Sequence, residues 1–264
     1  MRTPFVKHLA IFVLVSSFVT CLVLLGDSSV LLREFYHDKP DLSPQFGVYF
    51  DFIEIGTSDF NTLLQVAPDG SRGLSVDANA IYLDRLPNKN SVKKVNKALS
   101  DDVSLKFMPL YFLTPEDISN YNLSDWLRGC SQVGEPHAML VAELKARNLE
   151  HLMQMTSIEV ISFSKLLTDY NASGIMYLKI DAEINTLKIA SSVINTCISF
   201  RHLCPRILSF EFWTGESASI HFKDKVEEYN KSIQQIVGEL ISLGYVRLET
   251  TGEDKYFVYL NNHM

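Results

Sequence analysis

The chain has 264 residues, of which 47% are hydrophobic and 21% are charged, so it can fill the core of one large domain or of two small ones. Its formal net charge is -7, and its longest basic cluster is Lys93, Lys94 and Lys97, too small a group to follow a phosphate backbone. We therefore expect no nucleic-acid partner.

Residues 9–26 form an uncharged run of eighteen residues, LAIFVLVSSFVTCLVLLG. As a helix, this run would be about 27 Å long, close to the ~30 Å thickness of the hydrocarbon core of a bilayer. We predict a transmembrane anchor at residues 1–26 and a stalk at residues 27–44. Because Arg2 and Lys7 precede the run, the positive-inside rule places the N-terminus in the cytoplasm and the domain in the lumen or outside the cell.

Cleavage of a signal peptide, which would release a secreted protein, is the alternative to an anchor. The apolar region of a signal peptide is usually about 7–15 residues long, and a small-x-small cleavage site follows it. The run at residues 9–26 is longer than this, and its last four residues include one small residue, Gly26. An uncleaved anchor is therefore the preferred interpretation.

Residues 45–264 alternate short apolar runs with amphipathic stretches, which is the pattern of βαβ units around a parallel sheet. Strands are predicted at residues 48–55, 73–76, 92–99, 105–113, 158–162, 175–180 and 207–212. Helices are predicted at residues 59–66, 80–86, 163–170, 185–194 and 223–243. A hairpin of residues 245–249 and 256–260 is predicted to close the chain. The pattern favours an α/β fold with a doubly wound sheet and a C-terminal antiparallel hairpin.

Residues 114–155 interrupt this alternation with a long polar segment. It contains the loop GCSQVGEPH at residues 129–137, followed by a polar helical stretch. An insertion of this length between strands is usually a lid or a substrate-binding element, and a surface elaboration without a function is the alternative.

Four cysteines are present: Cys21, Cys130, Cys197 and Cys204. None of them forms a CxxC pair, and no group of cysteine and histidine has the spacing of a zinc site, so we expect no metal site. Either all of them are free or buried thiols, or Cys197 and Cys204 form a disulfide in an oxidising compartment.

The first predicted strand and the next one end in residues that can bind a nucleoside. The first ends in Glu54, Ile55 and Gly56, and Asp77 closes the second strand 21 residues after Gly56. In a doubly wound sheet, ligands bind beyond the carboxyl ends of the strands, and an acid at about this distance hydrogen-bonds ribose hydroxyls. The spacing therefore predicts a site for a cofactor of the adenosine type.

The turn itself favours one such cofactor. A dinucleotide requires close approach of the backbone to a pyrophosphate, and hence three spaced glycines. Here Gly56 is the one glycine, Phe60 stands where a second would help, and no nearby lysine or arginine compensates. S-adenosylmethionine has no phosphate and carries a sulfonium charge, so an acidic turn with few glycines suits it better. An oxidoreductase that uses a nucleotide cofactor is therefore disfavoured.

Several segments, in this order along the chain, resemble the FkbM family of S-adenosylmethionine-dependent methyltransferases over residues 48–260. They are FIEIGTS at 52–58 for the family's D-I-G-A-N, GLSVDAN at 73–79 for V-E-P-N, NKALSD at 96–101 for N-x-A-x-S-D, YLKIDAE at 177–183 for L-K-I-D-V-E, and LSFEF at 208–212 for the strand that follows. The resemblance implies a class I methyltransferase fold of the Rossmann-like type, here with one N-terminal transmembrane helix.

Two departures from the family pattern lie beside these motifs. Phe60 replaces the glycine after D-I-G-A-N-x, and Ile184, Asn185 and Thr186 replace the G-A-E after L-K-I-D-V-E. They motivate the alternative function, that of a catalytically inactive, membrane-tethered binding or scaffold protein.

The resemblance implies an O-methyltransferase that uses S-adenosylmethionine and acts on a hydroxyl. The acceptor would be a small molecule or, because a lumenal domain is predicted, a sugar or glycan. By resemblance, the cofactor-binding residues are Glu54, Gly56 and Thr57 at the methionine end, Asp77 at the ribose, and Ser100 and Asp101 near the adenine.

The resemblance also places Asp181 and Glu183 at the reacting centre, where Asp181 is the first candidate for a general base. His137, in the loop of the insertion, is the second candidate because an imidazole titrates near neutrality. For Asp181 and Glu183 the alternative is capping of the following helix, since carboxylates favour its free N–H groups and its dipole. For His137 the alternative is an incidental loop residue.

Overall fold

The structure is a computed structural model that describes residues 47–60, 62–102, 104–213, 215–248 and 254–259. The predicted anchor at residues 1–26 and the predicted stalk at residues 27–44 lie outside these ranges. Within the ranges, no helix is both long enough and apolar enough to cross a membrane.

The described residues form an α/β structure, as predicted. The strands are β1 (Val48–Ile55), β2 (Gly73–Asp77), β3 (Val92–Asn96), β4 (Ala98–Leu99), β5 (Phe107–Phe112), β6 (Gln132–Val133), β7 (Gln154–Ile161), β8 (Ala172–Ile180), β9 (Ile207–Glu211), β10 (Tyr245–Arg247) and β11 (Asp254–Tyr259). The helices are α1 (Leu63–Val66), α2 (Ala80–Arg85), α3 (Pro115–Asn120), α4 (Ala138–Ala146), α5 (Phe163–Asp169), α6 (Thr186–Ser199), α7 (Gly215–Phe222) and α8 (Val226–Ser242).

Seven of the described strands form the main sheet, in the order β10-β11-β9-β8-β1-β2-β3. The five strands from β3 to β9 are parallel, and the order reverses between β1 and β8, as in a doubly wound sheet. The C-terminal hairpin completes the sheet, because β11 pairs antiparallel with both β9 and β10. The predicted doubly wound sheet with a C-terminal antiparallel hairpin is confirmed.

Helices cover both faces of this sheet. Successive side chains of a strand point to opposite faces, so the central strands contribute to an apolar cluster on each side. On one face, Ile53 and Leu178 belong to a cluster with buried residues of α5, α6 and α8. On the other face, Phe52 and Tyr177 belong to a cluster with buried residues of α1 and α2. The central strands β1 and β8 are therefore buried on both sides, and their carboxyl ends are held at one level by the pairing of Ile55 with Ile180.

The predicted strand at residues 92–99 is a single strand in the sequence pattern but two strands in the structure. The chain turns at Lys97, whose amide N–H donates to the carbonyl oxygen of Val95 at 3.2 Å. Only β3 belongs to the main sheet, whereas β4 pairs with β7 in a second sheet of order β4-β7-β5-β6. The apolar run predicted at residues 105–113 also enters this second sheet, as β5.

The predicted helix at residues 59–66 begins later than expected, at Leu63. Thr62 caps it, since its Oγ1 accepts from the amide N–H of Gln65 at 3.3 Å and Gln65 Oε1 accepts from the Thr62 N–H at 3.1 Å. This reciprocal capping box defines the start of the helix and leaves residues 57–60 as a turn.

The cysteines of the described residues are free thiols, so the disulfide alternative is not observed. Cys130, Cys197 and Cys204 are all buried. The Sγ of Cys204 donates to the carbonyl oxygen of Cys197 at 3.7 Å.

Candidate functional site

A cavity of about 430 Å³ opens at the carboxyl ends of β1, β2 and β8. This is the edge of a doubly wound sheet at which ligands bind, next to the point where the strand order reverses. Its volume lies within the usual range of small-molecule sites. Gly56, Asp77 and Asp181 form its floor, and residues 126–139 of the insertion form much of its opposite wall.

Gly56 permits the ends of β1 and β8 to approach each other. Its backbone is in the left-handed region, with φ at 81°, and an added Cβ would lie 1.7 Å from the carbonyl oxygen of Asp181. A side chain at this position would be strained by the left-handed backbone and would overlap the backbone of Asp181. The single glycine of the turn is therefore required by the backbone geometry of the site.

Asp77 joins the two turns that follow β1 and β2. Its Oδ2 accepts from the amide N–H of Ser58 at 2.7 Å, and its Oδ1 accepts from the amide N–H of Asn79 at 2.7 Å. Burial raises the pKa of Asp77, while the hydrogen bonds from these amides oppose that rise. The carboxylate also lines the cavity, where oxygen lone pairs remain for a ligand hydroxyl.

Thr57 contributes a buried hydroxyl to the turn after β1. Thr57 lines the cavity and is 3% exposed, and among the described residues its Oγ1 has no hydrogen-bond partner. Because buried hydroxyls nearly always have a partner in native proteins, this atom is a candidate contact for a polar ligand.

Glu54, predicted to contact the methionine end of the cofactor, lies behind the wall of the cavity. It is fully buried, its Oε2 accepts from the amide N–H of Leu63 at 2.7 Å, and its Oε1 accepts from Lys179 Nζ at 3.1 Å. Burial raises the pKa of Glu54 to about 7, although the Lys179 charge and the Leu63 amide act to lower it. The residue that reaches the cavity here is Lys179.

Ser100 and Asp101, predicted to lie near the adenine, are also outside the wall formed by the described residues. Ser100 Oγ accepts from the amide N–H of Asp102 at 3.1 Å, and Asp101 is exposed to solvent. Residues 97–99 line the cavity instead, because the chain turns away into β4 at this point.

The three predicted catalytic residues come together in this cavity from two distant parts of the chain. Asp181 lies just beyond β8, with its carboxylate 3.8 Å from Lys179 Nζ. Glu183 Oε2 lies 3.7 Å from Nε2 of His137, which is 3% exposed and precedes α4. Neither acid is the N-cap residue of α6, a position that Asn185 occupies without a side-chain capping bond.

The insertion is held over the first turn by a buried ion pair. Asp59, whose side chain is 4% exposed, contacts Arg128 at 3.0 Å and Arg85 at 2.8 Å. The Arg128 guanidinium also lies over the Phe60 ring, 4.9 Å from its centroid. Phe60, which departs from the family's glycine, thus supports the segment of the insertion that covers the cavity.

Comparisons with known proteins yield distant structural likenesses, of which one is described here. No family model matches the chain, and no curated protein matches it. The structure is similar to that of the methyltransferase FkbM from Methylobacillus flagellatus KT, with a TM-score of 0.39 and 13% sequence identity. The match covers 94% of this chain and 59% of that protein, so this chain spans less than two thirds of its length.

Several residues of the site could not be assigned from the sequence. They include Lys179, Arg128, Trp126 and Trp213, all of which line the cavity. Lys179 lies within the L-K-I-D motif, so its position was visible, but its contact with Glu54 was not. Both tryptophans of the chain line the same cavity, and no spacing in the sequence connects them.

The charges of the cavity wall favour a cationic or neutral ligand. Its acidic residues are Asp77, Asp181, Glu183 and Glu211. Each of its basic residues already contacts a carboxylate: Lys97 that of Glu159, Arg128 those of Asp59 and Asp125, and Lys179 those of Glu54 and Asp181. A pyrophosphate would therefore compete with carboxylates for every basic side chain of the wall.

Proposed function

We propose that this chain is an S-adenosylmethionine-dependent O-methyltransferase whose acceptor is the hydroxyl of a small molecule or of a glycan. One observation carries the proposal: Asp77 and a turn with a single glycine form the cofactor end of a cavity whose basic residues all contact carboxylates. This arrangement suits an adenosyl group that carries a sulfonium, and it does not suit a dinucleotide.

The residues at this end fit the proposed cofactor. The Asp77 carboxylate would accept hydrogen bonds from ribose hydroxyls, and Thr57 would offer its partnerless Oγ1 to the methionine end. The segment of residues 97–99 would cover the adenine in place of Ser100 and Asp101. Glu54 would support this end through Lys179 and the start of α1 without contacting the cofactor.

When bound, S-adenosylmethionine supplies an activated methyl group. The protein would align the acceptor oxygen with that methyl, and alignment of this kind supplies about 7–11 kcal/mol of a typical barrier. A carboxylate or an imidazole that takes the hydroxyl proton adds roughly 10²–10⁴-fold in rate. Asp181 and His137 line the cavity and are the candidates for this base.

The two departures from the family pattern have structural roles here, which favours an active enzyme over an inactive scaffold. Phe60 packs beneath Arg128, and Ile184 packs against the main core. Neither residue blocks the contact of Asp77 with the two turns. The membrane anchor and the lumenal placement of the domain stay predictions from the sequence.

Calorimetric titration of the full chain with S-adenosylmethionine and, separately, with NAD tests this proposal. We expect saturable binding of the methyl donor and none of NAD. In Asp77→Asn, the loss of a charged hydrogen-bond acceptor should weaken binding of the donor by roughly 10- to 100-fold. The matched control is Asp51→Asn, because Asp51 is a buried carboxylate that holds the Arg72 amide at 2.8 Å but does not line the cavity.

Unchanged affinity in Asp77→Asn would remove Asp77 from the cofactor site. A folded wild-type protein that binds neither compound would favour the scaffold alternative. Binding of NAD alone would overturn the proposal in favour of an oxidoreductase.

A further inference from the structure

The turn after β8 holds Glu183 in a strained backbone conformation. Its φ is 53°, in the left-handed region, where a residue with a Cβ is disfavoured and asparagine or glycine is preferred. Of the other non-glycine residues with positive φ in the described ranges, three are asparagines and the fourth is Ser58. A glutamate at this position is therefore a poor choice for the turn alone.

This conformation brings the Glu183 carboxylate to His137. The two side chains approach to 3.7 Å between Oε2 and Nε2, and the imidazole is almost fully buried. The Trp213 ring meets the imidazole edge-on, with centroids 5.9 Å apart and an interplanar angle of 90°. Two residues after Glu183, Asn185 Nδ2 donates to the carbonyl oxygen of Val133 at 3.1 Å, which ties the turn to the insertion that carries His137.

We propose that Glu183 is a positioning residue that selects the orientation and the tautomer of His137. The turn keeps a glutamate despite the backbone strain because this selection requires a carboxylate. Across this 3.7 Å separation, the Glu183 carboxylate favours the neutral ring that carries its proton on Nε2, which leaves the lone pair on Nδ1. Distances of this kind are often long without substrate and shorten when the substrate is bound. Strain of this kind concentrates at functional sites, where the surrounding structure maintains it.

The role in catalysis rests on the proposed methyl transfer. As the acceptor oxygen forms its bond to the methyl carbon, the bond from that carbon to sulfur breaks and its electron pair stays on the sulfur, which becomes a neutral thioether. The hydroxyl proton passes to the imidazole of His137, and the imidazolium that forms is stabilised by the Glu183 carboxylate. Asp181, which lies beside Lys179, is then left to contact the ligands without taking the proton.

The test is Glu183→Asn in the full chain, with thermal unfolding and ¹⁵N NMR of the histidine rings as readouts. Asparagine tolerates the left-handed turn but is too short to reach His137, so we expect the Tm to rise by roughly 2–4 °C. The His137 ring, assigned through the signals missing in His137→Gln, should change from a single Nε2–H tautomer in the wild type to a mixture.

Two variants control for the separate effects. Glu183→Gln keeps an oxygen near Nε2 and keeps the strain, so it should retain both the wild-type tautomer and the wild-type Tm. Ser58→Asn relaxes Ser58, the other non-glycine residue of the cavity wall with a left-handed backbone, so it should leave the His137 signals unchanged.

Identical His137 signals in the wild type and in Glu183→Asn would overturn the positioning role. A lower Tm for Glu183→Asn would contradict the claim that the backbone at Glu183 is strained. If the wild type fails to bind S-adenosylmethionine while the tautomer still depends on Glu183, the proposed function falls and the positioning stands, so the two failures are distinguishable.

Discussion

At the scale of single residues, the site depends on the backbone conformation of particular residues as well as on their side chains. Gly56 and Glu183 both have left-handed backbones at the carboxyl edge of the sheet, but for different reasons. Gly56 is the residue that its position requires, because a Cβ would overlap Asp181. Glu183 is disfavoured by the left-handed backbone of its position, so its presence there points to a role in function.

Gly56→Ala should therefore be far more harmful than an ordinary glycine substitution. We expect the free energy of unfolding to fall by about 3 kcal/mol or more, because the left-handed strain adds to a clash with backbone that cannot yield easily. The matched control is Gly238→Ala within α8, where an added Cβ meets nothing within 4 Å and the variant should gain about 0.5–1 kcal/mol. Urea unfolding of both variants makes the comparison. Equal stabilities would show that the ends of β1 and β8 can separate freely.

At the scale of elements, the insertion is part of the site and not a loose cover. Its short 3₁₀ segment Asp125–Cys130 meets both turns of the cofactor end. The carbonyl oxygen of Arg128 accepts from Ser58 Oγ at 3.3 Å, and in the residue after the segment the Ser131 hydroxyl accepts from Asn79 Nδ2 at 2.9 Å. The insertion also has a small apolar core of its own.

The ion pair at Asp59 should contribute most to this docking through one of its two arginines. Arg128→Ala removes the more buried partner and the contact with Phe60, so we expect a loss of roughly 1–3 kcal/mol in unfolding free energy. Arg85→Ala removes a partner that is half exposed, and it should lose less than about 1 kcal/mol. Chemical denaturation measures both, and hydrogen exchange should show faster exchange within residues 125–131 in Arg128→Ala. The opposite ranking would show that Arg85 is the anchoring residue.

At the scale of the whole molecule, the site and the stability of the sheet share one buried ion pair. Glu54 and Lys179 are register partners on the central strands β1 and β8, so the pair bridges the two strands that carry the cavity floor. A buried ion pair is a weak source of stability, because desolvation of the charges offsets their attraction. The raised pKa of Glu54 shows that desolvation is the larger effect here.

The stability of the chain should therefore depend on pH through Glu54. Its pKa is about 7 in the folded protein and about 4.5 in the unfolded chain, so the folded state holds the proton more tightly. The stability from this proton is fully present below about pH 4.5 and is lost as the pH rises through 7, a decrease of up to about 3 kcal/mol. We expect urea unfolding between pH 4.5 and 8 to show that the free energy of unfolding of Glu54→Gln increases relative to that of the wild type as the pH rises. A difference that is constant with pH would contradict the prediction.

Much of the fold could be predicted because its signals are local. The run VYFDFIEI and the run GLSVD are apolar enough to be buried strands wherever they pack, and the acid that ends the second one lies at a fixed distance from Gly56. Hydrophobic periodicity and residue spacing therefore sufficed for the order of most elements, for the C-terminal hairpin, and for the meeting of Gly56 and Asp77 at one edge, whereas Thr57 was assigned by the family resemblance.

The rest depended on pairings that spacing does not encode. Residues 92–99 have one continuous pattern, yet a turn at Lys97 divides them between two sheets, and with that turn Ser100 and Asp101 leave the cavity wall. Glu54 is held behind the wall by its contact with Lys179, a residue far away in the sequence that is its register partner on β8.

The sequence by itself thus determined which strands are buried, which turn needs a glycine, and which acids stand at strand ends. The tertiary structure alone decided which of those acids face the cavity and which partners they have. His137 and Glu183 illustrate the reason, because their contact requires the insertion to dock and the turn after β8 to adopt a left-handed backbone. Both conditions come from packing between distant segments, and only the folded chain brings those segments together.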